Sequence, residues 1–177
     1  MRSYVGAGSS NTPPEMLKLM FDLAGVMSKK GVMLRCSERG PADATFVIGS
    51  RGKFHTFIPH GLIDEVLDEA DGPPSKFYAA SVWGIPSDIR PGSGDATFAR
   101  SLNPKFLMLS RLEKQWDVVA NSLIYGLDHV SVAKLMICWS QPGDHVERYL
   151  KKEEVAGVPV YNLAVPAQLN KMMSWVK

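Results

Sequence analysis

The chain has 177 residues, 45% of them hydrophobic and 21% charged, with a formal net charge of +2, enough for one domain with a substantial core and an ordinary globular composition. That balance supplies no overall field to draw nucleic acid or a membrane surface, no apolar run approaches the ~18 residues of a membrane span, and no signal peptide opens the sequence. Cys36 and Cys138 end apolar runs and read as small hydrophobes in a reducing compartment, so a cytoplasmic setting is expected, bacterial or infected-host.

Ser3 to Ala7 is a short apolar run that ends in a small-residue loop, Gly6-Ala-Gly-Ser-Ser-Asn-Thr-Pro-Pro. Glu15 to Lys29 places Met16, Leu19, Met20, Leu23, Val26 and Met27 at helical spacing, Gly31 stops that helix, and Val32 to Cys36 reads as a second buried strand. A second loop, Ser37 to Pro41, leads into a helix from about Ala42. Strand–loop–helix repeated in this way opens a parallel α/β sheet, and such sheets bind ligands at the carboxyl ends of their strands. The expected fold is therefore a single Rossmann-like domain, an open and mainly parallel sheet with helices on both faces.

Gly6 and Gly8 match only the start of a dinucleotide fingerprint, because position 11 is Asn. The run Gly8-Ser9-Ser10-Asn11 nevertheless lets a backbone approach a ligand and offers hydroxyls and an amide, with the amino end of the next helix behind it. Thr12, Pro13 and Glu15 read as a capping box for that helix. In the second loop Arg35 and Arg39 suit a phosphate, Ser37 adds a hydroxyl, and Asp43 caps or salt-bridges the next helix; a solvated turn is the competing reading.

Lys53 to Pro59 reads as a third strand, with His60 at its end, and Leu62 to Ala70 as a short acidic helix. From about 71 to 103 the composition turns rich in Pro and Gly, with Trp83 and Phe98 among its aromatics. The expectation there is a long irregular insertion, either a lid or an interface. Pro104 to Leu127 carries the longest helical pattern, closed by Gly126 and breaking near Leu112; its apolar stripe suits the core or a dimer contact. Val132 to Trp139 is the best central strand, with Ser140 to Asp144 at its carboxyl end. A short charged helix over 146–155, a strand over 158–163 and a terminal helix over 165–176 complete the order.

The four histidines show no i, i+4 pairing and neither cysteine has a C-x-x-C partner, so no protein metal site and no cofactor is expected. There is no phosphate-loop, hydrolase-elbow or kinase signature, and no basic run interleaved with aromatics.

Four separate stretches bear on family. They are Gly8-Ser9-Ser10; Gly31-Val-Met-Leu-Arg-Cys-Ser-Glu-Arg-Gly-Pro-Ala-Asp43-Ala-Thr-Phe46; Met136-Ile-Cys-Trp139-Ser140-Gln-Pro-Gly143; and Gly157-Val-Pro-Val-Tyr-Asn162-Leu163. Their order and spacing, across almost the whole chain, resemble the SLOG superfamily of Rossmann-like nucleotide-binding proteins, especially phage-borne relatives of the DNA-processing protein A domain. The resemblance implies a nucleotide, a nucleotide derivative or a nucleic-acid strand held at the strand ends, by Gly6, Gly8, Ser9, Ser10, Asn11, Ser37, Arg39, Trp139 and Ser140. Asn121 falls where relatives carry an Arg-Asn pair in the long helix, although the arginine is replaced here by Ala120. LOG-type relatives cleave the glycosidic bond of nucleotides, and Glu38 is then the candidate catalytic carboxylate. Two departures stand out: Ser37 and Glu38 replace a glycine pair, and no glycine-rich loop follows Gly143. Both favour a binder over an enzyme, such as a phage protein that sequesters a nucleotide-derived immune signal. A recombination-mediator-like protein for single-stranded DNA ranks behind both, since a basic channel is missing. The expected partner is thus a nucleotide-type small molecule, with self-association open.

Overall fold

The central strands lie where the sequence is apolar at successive positions, facing both sides of the sheet. In the computed structural model, which describes residues 2–37, 40–59, 85–87 and 94–176, β1 (Ser3–Gly8) is buried along its whole length. Tyr4 packs with one apolar cluster while Val5 and Ala7 pack with the other, the alternation of a strand covered on both faces. On one side β1 pairs in parallel with β2 (Met33–Ser37), which pairs with β3 (Phe54–Pro59) and then β4 (Ile85–Ser87). On the other side it pairs with β5 (Met136–Trp139), followed by β6 (Val160–Asn162). The described residues therefore build a six-stranded, all-parallel sheet of order β4-β3-β2-β1-β5-β6. This is the expected open α/β sheet.

Helices cover both faces. Tyr4, Leu34, Cys36, Ile137 and Trp139 face α1 (Pro14–Lys29), α2 (Pro41–Gly49) and α6 (Pro166–Met173) through Leu23, Phe46 and Met172. Val5, Ala7, Met136 and Cys138 face α4 (Arg111–Tyr125) and the start of α5 (Glu147–Ala156) through Trp116, Val119, Leu123 and Tyr149. A smaller cluster, Ala96, Ala99, Phe106 and Val118, docks α3 (Gly94–Leu102) onto α4.

Glycines set how closely these layers approach. A Cβ at Gly49 would lie 2.5 Å from Phe21 O and 2.8 Å from Ala24 Cβ, so its absence lets α2 sit directly on α1. Gly25 is different: its nearest neighbour would be Gly49 O at 3.8 Å, an ordinary contact. Gly25→Ala removes unfolded-state freedom and favours the helix. It is expected to add about 0.5–1 kcal/mol in urea unfolding.

The structure departs from the sequence expectations in four places. Thr12 does not cap α1: the N-cap is Pro13 with no side-chain bond, and Thr12 Oγ1 instead donates to Ser9 O at 2.6 Å. The long helical pattern breaks as expected but a few residues before Leu112, into a 3₁₀ turn at Phe106–Met108 and then α4. Ser110 restarts the helix as a capping box with Glu113. The segment 71–103, expected to be irregular, contains β4 and α3; its residues 71–84 and 88–93 lie outside the described residues. So do His60, the expected acidic helix over 62–70 and Trp83. Finally, Met136 rather than Val132 opens β5. Ala133 N is already bonded to Ile124 O at the end of α4, and Lys134 N to Ser3 O.

Candidate functional site

All six strands run the same way, so Gly8, Ser37, Pro59, Ser87, Trp139 and Asn162 end at one edge of the sheet. From β1 the chain builds outward through β2, β3 and β4, then returns to lay β5 on the opposite side of β1. The order thus reverses between β1 and β5, and the loops leaving these two strands diverge there.

The loop after β1 is tightly bonded to itself and to β5. Ser9 N donates to Trp139 O at 3.1 Å, Asn11 N donates to Ser9 Oγ at 3.3 Å, and Thr12 N donates to Ser9 O at 3.1 Å. Ser9 and Thr12 are buried, whereas Ser10 and Asn11 are exposed. The amino end of α1 behind the loop is poorer in donors than its sequence suggested. Pro13 and Pro14 have no N–H, and Met16 N already donates to Pro13 O at 2.9 Å.

The glycines of this stretch serve packing. A Cβ at Gly8 would lie 2.3 Å from Ala42 Cβ, in the first turn of α2, and one at Gly6 would lie 2.8 Å from the Phe46 ring. Gly6 is thereby placed inside the sheet under α2, away from any ligand-facing surface, and Trp139 is buried in the core with α1.

Across the reversal, the side chain of Asn162 clasps Ser140 from β6. Ser140 N donates to Asn162 Oδ1 at 3.0 Å, and Asn162 Nδ2 donates to Ser140 O at 2.9 Å. The Ser140 hydroxyl donates to Asp144 Oδ1 at 2.9 Å. Sequence reasoning missed this role of Asn162; an Asn at the end of the edge strand β6, in register with Cys138, carries no local signal for it.

Ser37 is likewise engaged. Its hydroxyl donates to Asp43 Oδ2 at 3.0 Å and accepts from Tyr149 OH at 3.3 Å, with all three side chains buried. This chain of bonds ties β2, α2 and α5 together at the carboxyl edge. Arg35 cannot serve a phosphate, as the sequence had suggested. It is buried, and its Nη1 donates to Ile124 O at 3.1 Å and Ser131 O at 2.7 Å, closing the carbonyl end of α4 beside Gly126. Glu38 and Arg39 lie outside the described residues. Asn121 is buried in α4, and neither its Oδ1 nor its Nδ2 has a hydrogen-bond partner.

The structure therefore brings Ser9, Ser10, Asn11, Trp139 and Ser140 together at the reversal, with Ser37 at the same edge, and leaves Gly6 and Asn121 apart. Only Ser10 and Asn11 among them present side chains to solvent. Among the described residues no group of three or more His, Cys, Asp or Glu could hold a metal. No described helix is long and apolar enough to cross a membrane. Cys36 and Cys138 are buried thiols, and burial pushes the Cys138 thiol well up, which makes it a poor nucleophile.

Fold and edge together define an all-parallel, Rossmann-like α/β protein. No family model, no curated protein and no solved structure matches the chain.

Proposed function

We propose that this protein binds a nucleotide or a nucleotide-derived signalling molecule at the carboxyl edge of its sheet and holds it without turning it over. The observation that carries this reading is the reversal of strand order between β1 and β5, with Ser10 and Asn11 exposed directly above it. The resemblance to SLOG proteins supports the ligand class. A sequestering role, as in phage proteins that remove an immune signal, follows from the same resemblance, while a cytoplasmic setting rests on Cys36 and Cys138 serving as small buried hydrophobes.

Non-catalytic holding is supported by the condition of the polar groups at the edge. The hydroxyls of Ser37 and Ser140 are committed to Asp43 and Asp144, and Ser9 is bonded into its own loop. Hydrogen bonds of this kind keep a rim rigid and spare a ligand the cost of ordering it. Among the described residues at the edge, they leave no exposed hydroxyl poised beside a base.

The test is a thermal-shift panel of mononucleotides, dinucleotides and cyclic nucleotides. A ligand at ~100 times its dissociation constant adds about 2.7 kcal/mol, a shift of several degrees. Paired Ser10→Ala and Asn11→Ala changes are expected to leave the free protein's melting point almost unchanged while weakening the ligand's effect at least tenfold. A panel without any shift contradicts the reading.

A further inference from the structure

On the α4 and α5 side of the sheet lies a cavity of about 460 Å³, within the usual range for small-molecule sites. Its walls include Asp117 and Tyr125 from α4, and His145, Arg148, Lys151 and Lys152 from the loop after β5 and α5. Asp117 to Tyr125 spans eight residues of helix, so the groove runs ~12 Å along α4.

The charges of this groove are unevenly spent. Three acids line it along with three bases, but the acids are already engaged. Asp117 pairs with Lys152 at 3.1 Å, and Asp144 accepts from Ser140 Oγ and from Gln141 N and Val146 N, each at 2.8–2.9 Å. Glu147 accepts from Gly143 N at 3.0 Å, and Glu113, beyond the rim, is held by Ser110 N at 2.8 Å. Arg148 and Lys151 have no carboxylate within ion-pair distance among the described residues, and Arg148 is felt only at longer range, by Glu113. The guanidinium is half-buried and the ammonium exposed.

We propose that the α4–α5 groove is a binding site for a small molecule carrying a phosphate or similar oxyanion, with Arg148 and Lys151 as its anion-holding pair. Arg148 presents a planar fork suited to two oxygens, and Lys151 adds a mobile point charge. Tyr125 and His145 offer ring surface to the rest of the ligand. The site stands on its own geometry and does not depend on nucleotide binding at the β1–β5 reversal.

Calorimetric titrations of the full chain with inorganic pyrophosphate, adenosine monophosphate and adenosine test it at low salt. Pyrophosphate and the monophosphate are expected to bind and adenosine to bind at least tenfold more weakly. The Arg148→Gln/Lys151→Gln variant, with both changes on the rim of the groove, is expected to melt within a few degrees of wild type and to lose at least tenfold in affinity. The Ser10→Ala/Asn11→Ala variant is expected to keep pyrophosphate affinity. Equal binding by wild type and the Arg148/Lys151 variant overturns the groove, as does no pyrophosphate binding at millimolar concentration. Binding lost only in the Ser10/Asn11 variant overturns it too, while supporting the edge site. Pyrophosphate and monophosphate binding that depends on Arg148 and Lys151 and is untouched in the Ser10/Asn11 variant, with every nucleotide response lost in the Arg148/Lys151 variant, upholds the groove and removes nucleotide binding at the edge.

Discussion

Glu153→Gln is expected to stabilise the protein at pH 8.5 by roughly 3–5 kcal/mol and to change it little at pH 4.5. Glu153 is fully buried in α5, and neither carboxylate oxygen has a hydrogen-bond partner. Burial raises its pKa from an ordinary 4.5 to about 8, with the Arg35 charge pulling the other way. Desolvation wins because the Arg35 guanidinium is already spread over the carbonyls of Ile124 and Ser131. Between pH 4.5 and about 8 the folded protein therefore holds one proton more than the unfolded chain. Its contribution to stability is complete below pH 4.5 and is lost as pH rises through that window, after which it is flat. Glutamine is neutral at every pH and nearly the same shape, so the slope disappears. Urea unfolding of both proteins across pH 4.5–9 measures the difference. Parallel curves for the two proteins would show that Glu153 ionises freely in the folded state.

Gly8→Val is the second large effect. The first added carbon would lie 2.3 Å from Ala42 Cβ and 3.0 Å from Thr12 Oγ1. Ala42 is fixed in the first turn of α2, so relief requires the helix to move off the sheet rather than a side chain to turn. Overpacking of this sort costs about 1–3 kcal/mol when the surroundings yield and more when they do not, and a loss of at least 3 kcal/mol is expected here. The readout is the urea midpoint of ligand-free protein. Since Ser10 is exposed one turn further along the same loop, Ser10→Ala serves as the comparison and is expected to fall within about 0.5 kcal/mol of wild type. A tolerated valine would mean that the space over Gly8 is open to a ligand after all.

These two residues show where sequence reasoning carries and where it stops. Parallel α/β architecture was legible because its signals are local: the apolar run over 3–7, Gly31 ending α1 with positive φ, and Gly126 ending α4 likewise. The polar groups were harder. Ser37, Arg35 and Ser140 look free in a string of letters, yet their partners are Tyr149, Ser131 and Asn162, between 22 and 112 residues away. An arginine at a strand end reads as a phosphate ligand until the helix whose carbonyls it closes is folded over it. Thr12 failed as a cap for a local reason: two prolines follow it, so the helix begins at Pro14 and the hydroxyl turns back to Ser9. The break before α4 was signalled by Ser110 and Glu113 in capping-box spacing, three residues apart. The apolar stripe running through it placed the expected break slightly late, near Leu112. Asn121 was reached through resemblance alone; its burial without partners is visible only in three dimensions.

Binding of a nucleotide-type molecule is tested most directly by purifying the protein, denaturing it and identifying the released small molecules by mass spectrometry, with the nucleotide thermal-shift panel run on the same preparation. A tight binder releases a nucleotide or nucleotide derivative at close to one per chain, or gains several degrees with one member of the panel. A preparation that releases nothing and shifts with none of them contradicts the proposed function.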